Sequence, residues 1–203
     1  MSIPEAILIL GPTGSGKTPL GKALEEHGLA GRRCFHFDFG ANLREIARLK
    51  RRPPGFAAKD MDVIRRSLRT GALLENENFP VAAKVLERFR KKRKMAKGDL
   101  LVLNGLPRHE GQAADLERTV RVTTVVYLDG SLDAIQERIR RDTGGDRLGR
   151  VDDSADDVKK KYTIFRDRTR PLLAYYWSRG AKVRKVPFGP NSTAEDMLRS
   201  LAD

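Results

Sequence analysis

Ala6-Ile7-Leu8-Ile9-Leu10-Gly11-Pro12-Thr13-Gly14-Ser15-Gly16-Lys17-Thr18-Pro19-Leu20 is the stretch from which the rest of the chain can be read. Residues 6–10 are aliphatic at every position, as a strand covered on both faces must be. Residues 11–18 satisfy G-x-x-x-x-G-K-[ST], and Leu20, Ala23 and Leu24 follow at helical spacing. The glycines let the backbone curl until several N–H groups face one phosphate, and the helix N-terminus adds its dipole. Gly11, Thr13, Gly14, Ser15 and Gly16 are expected to form the cradle. Lys17 is expected to bridge the β- and γ-phosphates, and the Thr18 hydroxyl to ligate Mg²⁺. Pro19 falls in the first helical turn, where a missing N–H costs little. The reading is a site for a nucleoside triphosphate with Mg²⁺.

Beyond this stretch, short aliphatic runs alternate with longer amphipathic ones. Strands are expected at Ala6–Leu10, Arg33–Phe37, Leu100–Asn104, Val122–Leu128 and Ala181–Pro187. Helical periods between them predict a parallel sheet with helical crossovers. Ser131 is placed to cap a helix over Leu132–Arg141, and Thr193 one over Ala194–Leu201. Pro171 is expected to separate helices over Asp156–Thr169 and Leu172–Arg179. Trp177, with Tyr175 and Tyr176, is expected to pack against the core. Residues 42–79 and the glycine-rich residues 142–153 read as insertions into one domain spanning residues 1–203.

The chain has 203 residues, with 40 Lys+Arg against 27 Asp+Glu and a net charge of +13. Such a length suits one globular domain, and the charge predicts a liking for anions. The single cysteine, Cys34, excludes an internal disulfide and a cysteine-cluster zinc site. His27, His36 and His109 lack metal-ligand spacing. The longest aliphatic run is far shorter than the roughly 20 residues of a membrane helix, and no basic stretch precedes it. A soluble, cytoplasmic monomer without a membrane partner is therefore expected. The basic run Arg90, Lys91, Lys92, Arg93, Lys94 and Lys97 reads either as a solvated helix end or as a polyanion site. A nucleic-acid partner has only this charge in its favour, without a helix-turn-helix, finger or aromatic-interleaved motif.

Four blocks outside the phosphate loop resemble the adenylate kinase family. Leu100–Arg108, reading LLVLNGLPR, followed by Gln112, is similar to that family's strand ending in D-G-F-P-R with a glutamine four residues on. Arg150-Val151-Asp152-Asp153 resembles its R-x-D-D, and Thr169–Tyr176 its T-x-P-L-x-x-Y-Y. Gly40-Ala41-Asn42-Leu43-Arg44 stands where the family has T-G-D-x-L-R. The blocks keep the family's order, so the chain resembles a divergent, short-lid member of the P-loop nucleoside monophosphate kinases.

The resemblance implies an α/β, three-layer P-loop NTPase fold with a five-stranded parallel sheet. It further implies a helical monophosphate-binding insertion over residues 42–79 and a short lid over 142–153. The implied reaction passes the γ-phosphoryl of ATP to a nucleoside monophosphate, with AMP as the acceptor suggested by Gln112. By the same carry-over, Gly40, Arg44, Leu74, Gly105, Arg108, Gln112, Arg150 and Lys161 would hold the monophosphate. Arg138 would reach the donor phosphates, and Lys17, Arg108, Arg138 and Arg150 would carry the catalysis. Arginine suits these places because its planar fork engages phosphate oxygens bidentately.

The pattern departs from the family at definite positions. The aspartate that holds Mg²⁺ through water is Asn104, which can orient a water but adds no charge. The threonine and aspartate beside the monophosphate glycine are Phe39 and Ala41, and an arginine after the lid is Lys161. These changes motivate two alternatives: a P-loop kinase of the same fold with another small acceptor, and a nucleotide-binding regulator without turnover.

Overall fold

In the first strand, β1 (Glu5–Leu10), side chains alternate between two buried layers. Ala6, Leu8 and Leu10 join one apolar cluster, while Ile7 and Ile9 join the other. The computed structural model describes residues 3–71, 73–145 and 154–202. The sheet continues with β2 (Cys34–Asp38), β3 (Leu100–Asn104), β4 (Arg121–Asp129) and β5 (Lys182–Pro187). All pairings are parallel, in the order β2-β3-β1-β4-β5. Five strands were expected, and all five form within one residue of their expected ends. β3 is buried at every residue, as its unbroken aliphatic run requires.

Helices cover both faces of the sheet. One layer contains α2 (Phe39–Ala47), α3 (Ala58–Thr70), α4 (Phe79–Lys92), α5 (Glu110–Leu116) and α8 (Leu172–Trp177). Opposite lie α1 (Lys17–His27), α6 (Leu132–Arg141), α7 (Ala155–Ile164) and α9 (Ala194–Ala202). Two caps form as the sequence predicts. Ser131 Oγ accepts from Ala134 N at 3.1 Å, and Thr193 Oγ1 accepts from Asp196 N at 3.1 Å. The arrangement is the expected three-layer α/β fold.

Three local expectations are corrected. The helix expected over Asp156–Thr169 is α-helical only to Ile164 and widens into a π-turn over Phe165–Thr169, closed by Arg170 N to Phe165 O at 2.8 Å. Pro171 gives the reason: its ring crowds the carbonyl four residues back, and a wider turn relieves that contact. The following helix ends at Trp177 rather than Arg179, and Gly180 then turns the chain at φ +82°. Trp177 does not pack: it is 72% exposed, while its neighbour Tyr176 is buried.

Residues 42–79 are not a detached lobe. Leu43, Ile46, Phe56, Met61 and Ile64 belong to the same apolar cluster as Phe37 of β2. The basic run after Phe89 is largely paired on the surface: Arg90 and Lys91 with Glu87, Lys92 with Glu45, and Arg93 with Glu25. Residues 146–153, which carry Arg150, Asp152 and Asp153 of the expected lid, lie outside the described residues. Among the described residues no helix is long and apolar enough to cross a membrane.

Candidate active site

β1 ends where the phosphate loop begins, and the loop hands over directly to α1. Gly14 and Gly16 sit at φ +80° and +95°, the left-handed region that glycine alone enters freely. A Cβ at Gly14 would also lie 2.8 Å from Ile139 Cγ1, so α6 packs tightly behind the loop. Lys17 Nζ folds back over the loop, donating to Gly11 O at 2.8 Å and Pro12 O at 2.6 Å. Ser15 Oγ is fully buried in the loop with no hydrogen-bond partner among the described residues. Such an orphaned polar atom inside a ring of glycines fits a ligand rich in acceptors, and the triphosphate reading therefore fits the geometry.

Beside the loop lies a polar cluster that the sequence reading saw only in part. Thr18 Oγ1 donates to Asp38 Oδ2 at 2.9 Å, and Asn104 Nδ2 donates to Thr18 Oγ1 and to Asp38 Oδ2, each at 3.1 Å. His36 Nε2 lies 3.4 Å from the same Asn104 nitrogen, and burial lowers the pKa of this ring, which keeps it neutral. Asp38 was missed. Its signal was faint: a lone carboxylate closing an apolar strand, one residue outside the expected end of β2. Asp38 Oδ1 also caps α2 by accepting from Ala41 N at 2.8 Å. A hydroxyl flanked by a carboxylate and an amide fits a hard divalent cation. Among the described residues no three His, Cys, Asp or Glu side chains gather as a metal cage. A P-loop site does not need one, because phosphates and water supply most of the oxygens.

The acceptor candidates face the same cleft, which encloses about 320 Å³. Gly40, Arg44, Leu74, Gly105, Arg108, Gln112 and Lys161 line it together with the phosphate loop. Arg108 is half-buried, and among the described residues its guanidinium has no hydrogen-bond or ion-pair partner. Burial and the nearby Arg168 charge bring its pKa down to about 10. Arg168 itself is held away from the cleft in a two-bond pair with Glu75 at 2.7 and 2.9 Å. Arg44 lies exposed over Gly40, where a Cβ would come within 3.4 Å of its Nη1. Thr169, from the T-x-P-L block, donates to Arg108 O at 2.8 Å and so fixes the backbone from which that guanidinium projects.

Two candidates take up partners the sequence did not foresee. Gln112 Oε1 accepts from Arg108 N at 2.8 Å, and its Nε2 donates to Leu74 O at 2.7 Å. The amide therefore staples the segment before α4 to the loop after β3. Arg138 does not line the cleft. It reaches the phosphate loop from α6, donating to Gly14 O at 3.1 Å, Gly189 O at 3.0 Å and Ser192 O at 2.6 Å, with its guanidinium 5.5 Å from the Phe188 ring centroid.

The AAA domain family profile matches residues 7–159, and the chain belongs to that family. It is a P-loop NTPase of kinase-like fold, related to adenylate and UMP-CMP kinases. Adenylate kinase isoenzyme 1 of Oryctolagus cuniculus is 34% identical over 86 residues, which is 42% of this chain and 43% of that protein. UMP-CMP kinase 3 of Arabidopsis thaliana is 26% identical over 184 residues, covering 90% of this chain and 81% of that one. The match to the first thus spans under half of its length. Among solved structures, a gluconokinase from Sinorhizobium meliloti 1021 superposes with a TM-score of 0.54 at 19% identity, covering 100% of this chain and 94% of the other. That likeness speaks to the fold alone.

Proposed function

We propose that the chain is an Mg²⁺-dependent phosphotransferase that moves the terminal phosphoryl group of ATP to a small acceptor bearing an anionic group of its own. The observation that carries this is Arg108: it is half-buried in the cleft that also holds the phosphate loop, and its guanidinium has no partner among the described residues. An uncompensated cation in such a place is costly, and an entering anion offsets the cost. Arg108 and Arg44 would hold the acceptor, Gly105 would let its phosphate approach the backbone, and Lys17 would bridge the donor phosphates. Lys161 and, from the short lid proposed over residues 142–153, Arg150 add positive charge around the spread charge of the transition state. Mg²⁺, when bound, neutralises part of the phosphate charge. An acceptor oxygen attacks the γ-phosphorus in line, and the bond to the β–γ bridging oxygen breaks with its electron pair leaving on ADP.

A nucleoside monophosphate is the acceptor favoured by the four sequence blocks and by the kinases named above, with AMP the first candidate. Its phosphate oxygen attacks without losing a proton. Gln112 favours a second reading, a different small anionic acceptor, because both ends of its amide already hold backbone. The test is phosphotransfer from Mg²⁺-ATP to AMP, CMP, UMP, GMP, dTMP and gluconate, with Lys17→Ala as control. Turnover with a monophosphate, lost in the control, is expected. Turnover with gluconate alone would select the second reading. Silence across the panel, in protein that binds ATP, would overturn the proposal in favour of a nucleotide-binding regulator.

A further inference from the structure

We infer that the metal-side carboxylate of this cleft has moved from β3 to β2: Asp38 supplies the negative charge beside the Thr18 hydroxyl, and Asn104 is its neutral hydrogen-bonded partner. This rests on the reading that the cleft binds a magnesium nucleotide. It adds the residue that tunes the metal.

The argument starts from register. β2 and β3 are parallel, and Asp38 and Asn104 are Cα partners at the C-terminal ends of their strands. Paired residues of neighbouring parallel strands send their side chains to the same face, so both reach the first turn of α1. The three polar groups then close a triangle, with Thr18 Oγ1 2.9 Å from Asp38 Oδ2 and Asn104 Nδ2 3.1 Å from each of those oxygens. In that arrangement Thr18 donates its hydroxyl hydrogen bond to Asp38 and accepts one from Asn104, which leaves a second lone pair on Oγ1 for a cation. A carboxylate that orients a ligating group in this way raises its basicity and fixes its direction.

The same triangle explains why position 104 is an amide. A second carboxylate there would stand 3.1 Å from Asp38 Oδ2 in place of the present N–H donor. Two carboxylates at that separation would repel each other and lose the hydrogen bond that now joins the pair. The pair therefore carries one negative charge whichever strand bears it. The other contacts of Asp38 agree with a fixed role: its second oxygen is held by the α2 cap, which prevents the side chain from swinging away.

The test uses the full chain with a non-hydrolysable ATP analogue. Mn²⁺ is titrated into the protein–analogue complex and the free ion is read by EPR; analogue binding in EDTA is measured separately. Asp38→Asn retains a competent cap for α2, since asparagine caps as well as aspartate, so folding is expected to survive and is checked by thermal melting. We expect Asp38→Asn to weaken Mn²⁺ binding by about 10- to 100-fold while metal-free analogue binding stays unchanged. The exchanged double variant Asp38→Asn/Asn104→Asp should recover most of the loss. Mn²⁺ affinity within about 2-fold of the unmodified protein in Asp38→Asn would overturn the inference. So would a double variant no better than Asp38→Asn alone. No acceptor enters the experiment, so the acceptor assignment can fail while this inference stands. Failure of the unmodified protein to bind the analogue would overturn both.

Discussion

At the scale of single residues, the cleft is defined by a charge that has no partner among the described residues. Arg108 is the clearest case, because burial and Arg168 lower its pKa to about 10. A cationic group whose folded-state pKa lies below its ordinary value destabilises the fold while charged. The penalty is therefore present at every pH below about 10 and is relieved only as pH rises through that value. Replacing Arg108 by Met keeps much of the volume and removes the charge. We expect Arg108→Met to raise the melting temperature of the ligand-free protein by a few degrees, on the order of 1 kcal/mol. The same variant should lose phosphotransfer by at least about 100-fold, because the acceptor loses its forked anchor. A lower melting temperature would show that Arg108 supports the fold rather than the ligand.

At the scale of elements, α5 works as a clamp. His109 Nδ1 accepts weakly from Gln112 N at 3.4 Å at the start of the helix, and the Gln112 side chain bonds the backbone of Arg108 and of Leu74. His109 Nε2 lies 3.1 Å from the same Leu74 O. Gln112→Met would leave the Arg108 N–H, and part of the bonding of Leu74 O, unsatisfied in a buried place. Each such orphan costs about 1–3 kcal/mol. Thermal melting without any acceptor should therefore show a fall of several degrees. If Gln112 acts only by reading the acceptor, melting will be unchanged and KM alone will rise. The π-turn over Phe165–Thr169 is a second device at this scale, since it carries Thr169 to Arg108 O and Arg168 to Glu75.

At the scale of the whole molecule, the five strands and two helical layers place one buried thiol where it reports on the fold. Cys34 opens β2 within the second apolar cluster, and burial pushes its pKa up to about 11. A thiolate is the reactive form, so little is present at neutral pH in the native state. Labelling of Cys34 by a disulfide reagent at pH 8 should follow opening of the molecule, accelerating with denaturant in step with unfolding. A nucleotide that binds only the folded chain should slow it. At about 100 times its dissociation constant the added stability is about 2.7 kcal/mol, close to a hundredfold drop in the open population. Rapid labelling that ignores both denaturant and nucleotide would show that the edge strand opens locally.

Residue patterning was enough to place the five strands, the helical crossovers between them and the phosphate loop. Unbroken aliphatic runs can be satisfied only by strands covered on both faces, and the glycines of residues 11–16 demand a backbone that other residues resist. The family resemblance pointed to Arg44, Arg108, Gln112 and Lys161, and these four line one opening. Tertiary structure alone decided what those side chains do before any ligand arrives. Gln112 turned to the backbone and Arg138 to the loop carbonyls, because buried donors and acceptors must find partners and no linear pattern says which are nearest. Asp38 was visible as a letter but not as a member of the site. Only the parallel register of β2 with β3 sets it beside Asn104, 66 residues away along the chain, with the Thr18 hydroxyl between them.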